Sequence, residues 1–316
     1  MIVNAAYSVL SMLLIIAVGF FMGGTAFFKE HDVGAAITIY LKNIGIPVYM
    51  CYNAITNFSS RAELKALFET LPFSLLTVAG SFAIGTALAY LLRIRPTRRG
   101  TFINAVGFSN TVFLGFPVIS AIFGEAVLPK GMMFYAANTI VFWTIGVYML
   151  RRESGTAPKF FTRANLKQVA APPLIGFVIG LLIVALEIEL PPFLMTAVRN
   201  ISGTSSPLGM MFIGTVIRAT DLRQGGILRD VVVLFLVRFI AFPVILLGLM
   251  RVLPIDLETR RVFYMLALMP AMTQLGVMSR VSGGDYKFAS VWITISTILG
   301  VGSIPLFTLV MEKLLV

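Results

Sequence analysis

Residues 102–124 read FINAVGFSNTVFLGFPVISAIFG, and the fold turns on that stretch. It is long and apolar enough to cross a bilayer, yet Gly107, Ser109, Asn110, Thr111, Gly115 and Pro117 interrupt its middle. A proline inside a helix removes one backbone donor and collides with the carbonyl four residues earlier. The stretch is therefore expected to break into two half-helices near Gly115-Phe116-Pro117. Backbone groups freed in hydrocarbon are tolerated only where protein or a wet cavity satisfies them, which makes the break a candidate binding site.

The rest of the chain suits a membrane. Its 316 residues are 58% hydrophobic and only 12% charged, with a mean hydropathy of +0.92. That is too apolar for a soluble domain of this size and points to an all-α polytopic membrane protein in contact with the lipid bilayer. The net charge of +11 does not indicate nucleic acid, because the basic residues sit in short gaps between apolar runs, where they meet lipid headgroups and the cytoplasmic face. Cys51 is alone, so it forms no intrachain disulfide and reads as a small buried hydrophobe. The N-terminal MIVNAAYSVLSML lacks the positive start of a signal peptide and reads as a retained first span.

Apolar runs of spanning length lie near 5–27, 34–57, 71–92, 102–124, 131–150, 169–187, 192–217, 231–250, 262–283 and 289–312, which predicts ten transmembrane helices. Lys and Arg in alternate gaps divide fifteen to seven, the larger set including Arg151, Arg152, Lys159, Arg163 and Lys167. The positive-inside rule then makes 151–168 a cytoplasmic linker and puts both termini outside the cytoplasm of a cell-membrane protein. Pro47 and Pro207 fall in the second and seventh runs, and Pro117 and Pro270 in the fourth and ninth. Lys42-Asn43-Ile44 ahead of Pro47 matches Arg199-Asn200-Ile201 ahead of Pro207. The chain thus reads as two five-helix repeats, 1–150 and 169–316. An odd number of spans per repeat turns the second upside down, so the fourth and ninth broken helices are expected to cross.

The ninth run carries Pro270 followed by Thr273, Gln274 and Gly276. Half-helices starting at Pro117 and Pro270 would both present N-termini near the midplane, each with unpaired N–H donors and a partial positive charge. Two such ends facing each other suit an anion, and Asn110, Thr111, Thr273 and Gln274 add neutral hydrogen bonds. All fourteen Asp and Glu fall in loops or at span ends, and the one histidine, His31, is in the first loop. No midplane carboxylate is available to relay protons or hold sodium, and no metal site or cofactor is expected. Lys42, Arg199 and Arg238 lie within spans. The first two are near enough to an interface to snorkel, whereas Arg238 sits near the centre of VVVLFLVRFIAFPVILLG and needs either a substrate or backbone carbonyls as partner. No HExxH, Walker loop or Ser–His pair points to an enzyme.

Four runs carry a family resemblance: NTVFLGFPVISAIFG from Asn110, PPLIGFVIGLL from Pro172, SPLGMMFIG from Ser206 and LMPAMTQLGVMS from Leu268. They resemble the auxin efflux carrier family, which also includes bacterial permeases for malate and malonate. The resemblance implies two inverted five-span repeats, a crossover of broken fourth and ninth helices with Asn110, Pro117 and Pro270 at it, and an elevator-like movement of one part against another. The short central loop differs from the long hydrophilic loop of many plant carriers and favours the small-carboxylate branch. The function expected is alternating-access transport of a small organic anion, with Asn110, Thr111, Gly115, Pro117, Pro270, Thr273, Gln274 and Arg238 at the site. A bile-acid-like sodium symporter and a non-transporting receptor or scaffold are the alternatives. Na+ or H+ as coupling ion and a homodimer as assembly are left open.

Overall fold

A computed structural model describes residues 2–58, 61–155, 172–220 and 228–315. Most of the linker, with Lys159, Arg163 and Lys167, and Arg223 lie outside the described residues. Among those described the chain is helical, with no strand beyond one isolated bridge. The helices in order are α1 (Ile2–Met22), α2 (Ala26–Glu30), α3 (Val33–Tyr40), α4 (Ile46–Asn57), α5 (Arg61–Leu91), α6 (Pro96–Gly107), α7 (Phe116–Phe123), α8 (Leu128–Val141) and α9 (Val147–Glu153). They continue as α10 (Pro172–Ala185), α11 (Pro192–Ala219), α12 (Leu228–Leu236), α13 (Phe242–Val252), α14 (Leu257–Leu268), α15 (Gln274–Val281) and α16 (Tyr286–Leu314). Five helical stretches among the described residues are long and apolar enough to cross a membrane: Val33–Asn57, Phe68–Leu91, Glu125–Glu153, Leu228–Val252 and Tyr286–Leu314. Leu10–Met22, Thr111–Phe123 and Pro172–Ala185 are shorter apolar helices. The chain is a multi-pass membrane protein.

The two prolines expected to break helices behave differently. Pro270 makes a break: the residue before a proline is pushed out of the helical region, and Met269, at φ −58° and ψ 153°, ends α14 there. Pro117 does not break its helix. The wide turn Thr111–Gly115 leads straight into α7, and Phe116 keeps helical angles. Wide turns also stand at Leu41–Gly45 before Pro47 and Val237–Ala241 before Pro243. Opening the ring from four to five residues relieves the clash between a proline and the carbonyl behind it, so the helix runs on without a gap.

The first break instead lies six to nine residues before Pro117. α6 stops at Gly107, Phe108 is extended at φ −123° and ψ 136°, and Asn110 caps the next turn by accepting a hydrogen bond from the Phe113 amide at 3.2 Å. Here the two interrupted helices cross. Ser109 and Ala271 form an antiparallel bridge, and the Asn110 amide donates to the Pro270 carbonyl at 2.7 Å. Helix α16 braces the crossing from behind: Ser296 Oγ accepts from the Ala271 amide at 3.2 Å, and Gly300 lies under the Pro270 ring where a Cβ would come within 2.5 Å.

Around this crossing the helices sort into two bundles. One comprises α1, α3–α4, α10 and α11, held by glycines at close crossings: a Cβ on Gly214 would fall 2.1 Å from the Ile16 carbonyl oxygen, and one on Gly176 2.1 Å from that of Pro47. The other comprises α5–α9 and α12–α16. Polar clamps close both ends of this second bundle. At one end Arg98 pairs with Asp230 at 2.7 Å and Asp285 at 2.8 Å, while Glu153 accepts from the Thr101 and Asp285 amides. At the other, Lys130 pairs with Asp256 at 3.0 Å and with Glu258. Partial burial pushes the Asp256 carboxyl up, but hydrogen bonds from the Thr259 hydroxyl and amide and from Lys130 outweigh it and hold it down at about 2.

Candidate functional site

A cavity of about 260 Å³ lies between the two bundles at the crossing. The second bundle contributes Ser109, Asn110, Thr111, Val112 and Phe113 from the first break, Met272, Thr273 and Gln274 from the second, and Tyr135, Asn138, Thr139 and Trp143 from the α8 stretch. The first bundle supplies Thr38, Leu41, Lys42 and Ile46, the first residues of α10 at Pro172 and Pro173, and Phe212. Thr38, Lys42 and Gln274 are exposed and form the mouth, whereas Ser109, Asn110, Thr111 and Asn138 are buried at the inner end. The cavity is thus apolar and aromatic along its walls and polar where the two interrupted segments cross.

Both half-helices begin on this cavity, one at its buried polar end and one at its mouth. Thr111–Phe123 starts under the Asn110 cap, and α15 starts at Gln274 without a side-chain cap. Helix starts carry unpaired donors and a partial positive charge, so two opening on one cavity favour negative charge there. Lys42 adds a full positive charge, and among the described residues no Asp or Glu lines the cavity. Three buried polar atoms of lining residues have no hydrogen-bond partner among the described residues: Ser109 Oγ, Asn110 Nδ2 and Asn138 Oδ1. Buried polar groups are nearly always satisfied, so three unpaired atoms this close to the crossing make it a polar spot enclosed in protein, behind the cavity surface.

Of the residues singled out in the sequence, Asn110, Thr111, Thr273 and Gln274 line the cavity. Gly115, Pro117, Pro270 and Arg238 do not. Gly115 serves the crossing itself, since a Cβ there would meet Leu266 at 2.7 Å. Pro117 is one turn inside its half-helix. Pro270 sits in the second break and is buried behind the lining. Arg238, 2% exposed, donates to backbone carbonyls of both interrupted helices: Val106 at 2.8 Å, Ala267 at 2.6 Å and Met269 at 2.5 Å, with its guanidinium 4.7 Å from the Phe242 ring centroid. Its partners are those carbonyls, the second of the two options that its position left open. Arg199 is exposed on α11, away from the cavity lining.

Sequence reasoning missed Asn138 and Thr139, a polar pair inside an apolar run whose signal was visible, and did not assign Lys42. Ser109 and the aromatic wall of Tyr135, Trp143 and Phe212 carried no local signal, because they are ordinary residues for buried helices.

Comparison with known proteins shows a transport family. A family model described as "Membrane transport protein" matches residues 5–308. An uncharacterized transporter of Methanothermobacter thermautotrophicus is 25% identical over 96% of this chain and 97% of its own length. Another, from Methanocaldococcus jannaschii, is 25% identical over 92% of this chain and 93% of its own. With a transport-family match over nearly its whole length, the chain belongs to the membrane transport proteins of the auxin efflux carrier family.

Proposed function

We propose that this protein is a secondary transporter that moves a small organic anion, a mono- or dicarboxylate such as malate or malonate, across the cell membrane by alternating access. The observation that carries the reading is the convergence of two helix starts, Asn110 and Lys42 on one cavity whose lining, among the described residues, has no carboxylate. Amide donors replace part of the anion's hydration, and the low-polarity walls strengthen each contact. The apolar walls of Leu41, Ile46, Phe113 and Trp143 leave room for a carbon skeleton behind the charged end.

The architecture proposed with it is ten spans in two inverted five-helix repeats, 1–150 and 169–316, with both termini outside. Its support is the pair of crossing breaks and the charge distribution of the loops. The bundle of α5–α9 and α12–α16 is the moving part. Clamps at both of its ends, Arg98 with Asp230 and Asp285 and Lys130 with Asp256, favour motion as one body against the glycine-packed bundle. In this reading, with 151–168 cytoplasmic, the cavity opens inward, which its reach to Pro172 at the end of the linker supports.

Counterflow in proteoliposomes loaded with unlabelled acids, followed with labelled malate, malonate and acetate with and without sodium or proton gradients, tests this. Exchange of an organic acid is expected. Uptake that requires sodium points to the symporter instead, and binding without exchange points to a receptor. Lys42→Gln should raise the apparent KM about tenfold, the worth of one hydrogen bond to a charged group, while Lys42→Arg keeps the wild-type value. Equal KM in Lys42→Gln would remove Lys42 from the site.

A further inference from the structure

We propose that the Phe113 ring, seated on Gly209, is the seal that shuts the transport route on the far side of the cavity, and that the ring must leave this seat before the opposite face opens. The proposal rests on the alternating-access reading above and gives it a specific moving contact.

Phe113 is placed by the crossing, since its amide donates to the Asn110 cap at 3.2 Å, and it leads into α7 of the bundle proposed to move. Its ring, however, rests on the other bundle. A Cβ on Gly209 of α11 would fall 2.3 Å from Phe113 Cδ1, and the three atoms nearest that position all belong to this ring. Phe212, one turn further along α11, has its ring centroid 6.3 Å from that of Phe113. A residue without a Cβ is what lets a ring come this close to a helix backbone. The contact is thus a notch on one bundle filled by a side chain of the other.

Phe113 and Val112 also divide two spaces. On one side is the cavity of about 260 Å³. On the other is a void of about 10 Å³, lined by Tyr49, Ser205 and Ser206 together with the same Val112 and Phe113. Chain direction orders the two. From the mouth at Lys42 the chain passes Ile46 in the cavity and reaches Tyr49 at the void, and on α11 it passes from Phe212 in the cavity back to Ser206 and Ser205. At about 1.5 Å per residue the void lies roughly 5–10 Å beyond the cavity on both helices, on the side away from Lys42. Past the void Tyr49 stacks on Phe116 with ring centroids 6.1 Å apart, so aromatic contact between the bundles continues. A void with room for about one water admits no organic acid, and the route between the bundles ends at the Phe113 ring.

The test places a cysteine in the void and needs no substrate. Cys51, the one native cysteine, is removed as Cys51→Ala, Ser205→Cys is introduced, and its rate of labelling by a charged methanethiosulfonate is measured on the purified full chain. Ser205 is 4% exposed, so labelling should be slow. Phe113→Ala should speed it roughly tenfold or more, because a buried thiol reacts only when it is uncovered. Phe113→Leu, which refills the notch, should restore most of the protection. Gly209→Ala should also speed labelling, by displacing the ring, but should add nothing once Phe113→Ala is present. Cys51 in the otherwise native chain should keep its rate in Phe113→Ala, which separates an opened seal from general loosening. Equal rates at Ser205→Cys with and without the ring overturn the proposal, as does an equal acceleration at Cys51 or a Gly209→Ala effect that persists in full without the ring. If acids exchange while the labelling rates do not respond, the transport reading stands and the seal fails. If the rates respond as stated and no acid exchanges, the seal stands and the organic-anion reading fails.

Discussion

Arg238→Gln should leave little folded protein in detergent, with a loss of about 3 kcal/mol or more, because glutamine's two N–H donors satisfy at most two of three carbonyls, its own amide oxygen is a further buried acceptor, and each stranded buried acceptor costs about 1–3 kcal/mol. The carbonyls of Val106 and Ala267 are in the last turns of α6 and α14, the negative ends of two helices that meet inside the protein. One guanidinium neutralises both ends and bonds both backbones, which a planar five-donor group does better than any other side chain. Arg238→Lys keeps the charge but not the fork, and an intermediate stability is expected. Hydrogen exchange gives the sharper readout: in whatever Arg238→Lys folds, amides of 108–113 and 269–275 should exchange faster together, while those near Glu153 stay protected. Unchanged exchange at either break would show that Arg238 does not hold the crossing.

The second large effect concerns binding rather than folding. Asn110→Asp should fold as well as wild type yet lose roughly a thousandfold in apparent affinity for the transported anion. The aspartate oxygen still accepts from the Phe113 amide, and a negative cap at a helix start is favourable. Its other oxygen, however, replaces the buried Nδ2 donor and sets a full negative charge beside the cavity that Asn110 lines. Like charges about 4 Å apart at an effective dielectric of about 20 repel by about 4 kcal/mol, which is the thousandfold. Asn110→Ser keeps a short cap without adding charge and should lose only about tenfold. Competition curves in counterflow, beside thermal stability of each variant, separate the two effects. Wild-type affinity in Asn110→Asp would mean that the anion does not meet this residue.

The contrast between Pro117 and Pro270 shows how far local rules reach. Both stand inside apolar runs and read alike as helix breakers. Pro270 forced Met269 out of the helix, whereas the wide turn before Pro117 absorbed the missing donor. The first break was written elsewhere, in Gly107 followed by Ser109-Asn110-Thr111, a helix stop next to a strong cap. Arg238 was legible as a buried cation needing partners, but nothing near it in the chain shows that those partners are carbonyls 132 and 29 residues away.

The membrane class, the helical runs and the presence of interrupted segments followed from the sequence alone, because hydropathy, proline and capping act within a few residues of where they occur. Tertiary structure decided which interrupted backbones cross, that Lys42 and Asn138 join them at one cavity, and that Arg238 stands behind it. Those depend on how closely helices approach, at Gly115, Gly176, Gly214 and Gly300 above all, and close approach is a property of two surfaces that a single stretch of chain does not contain.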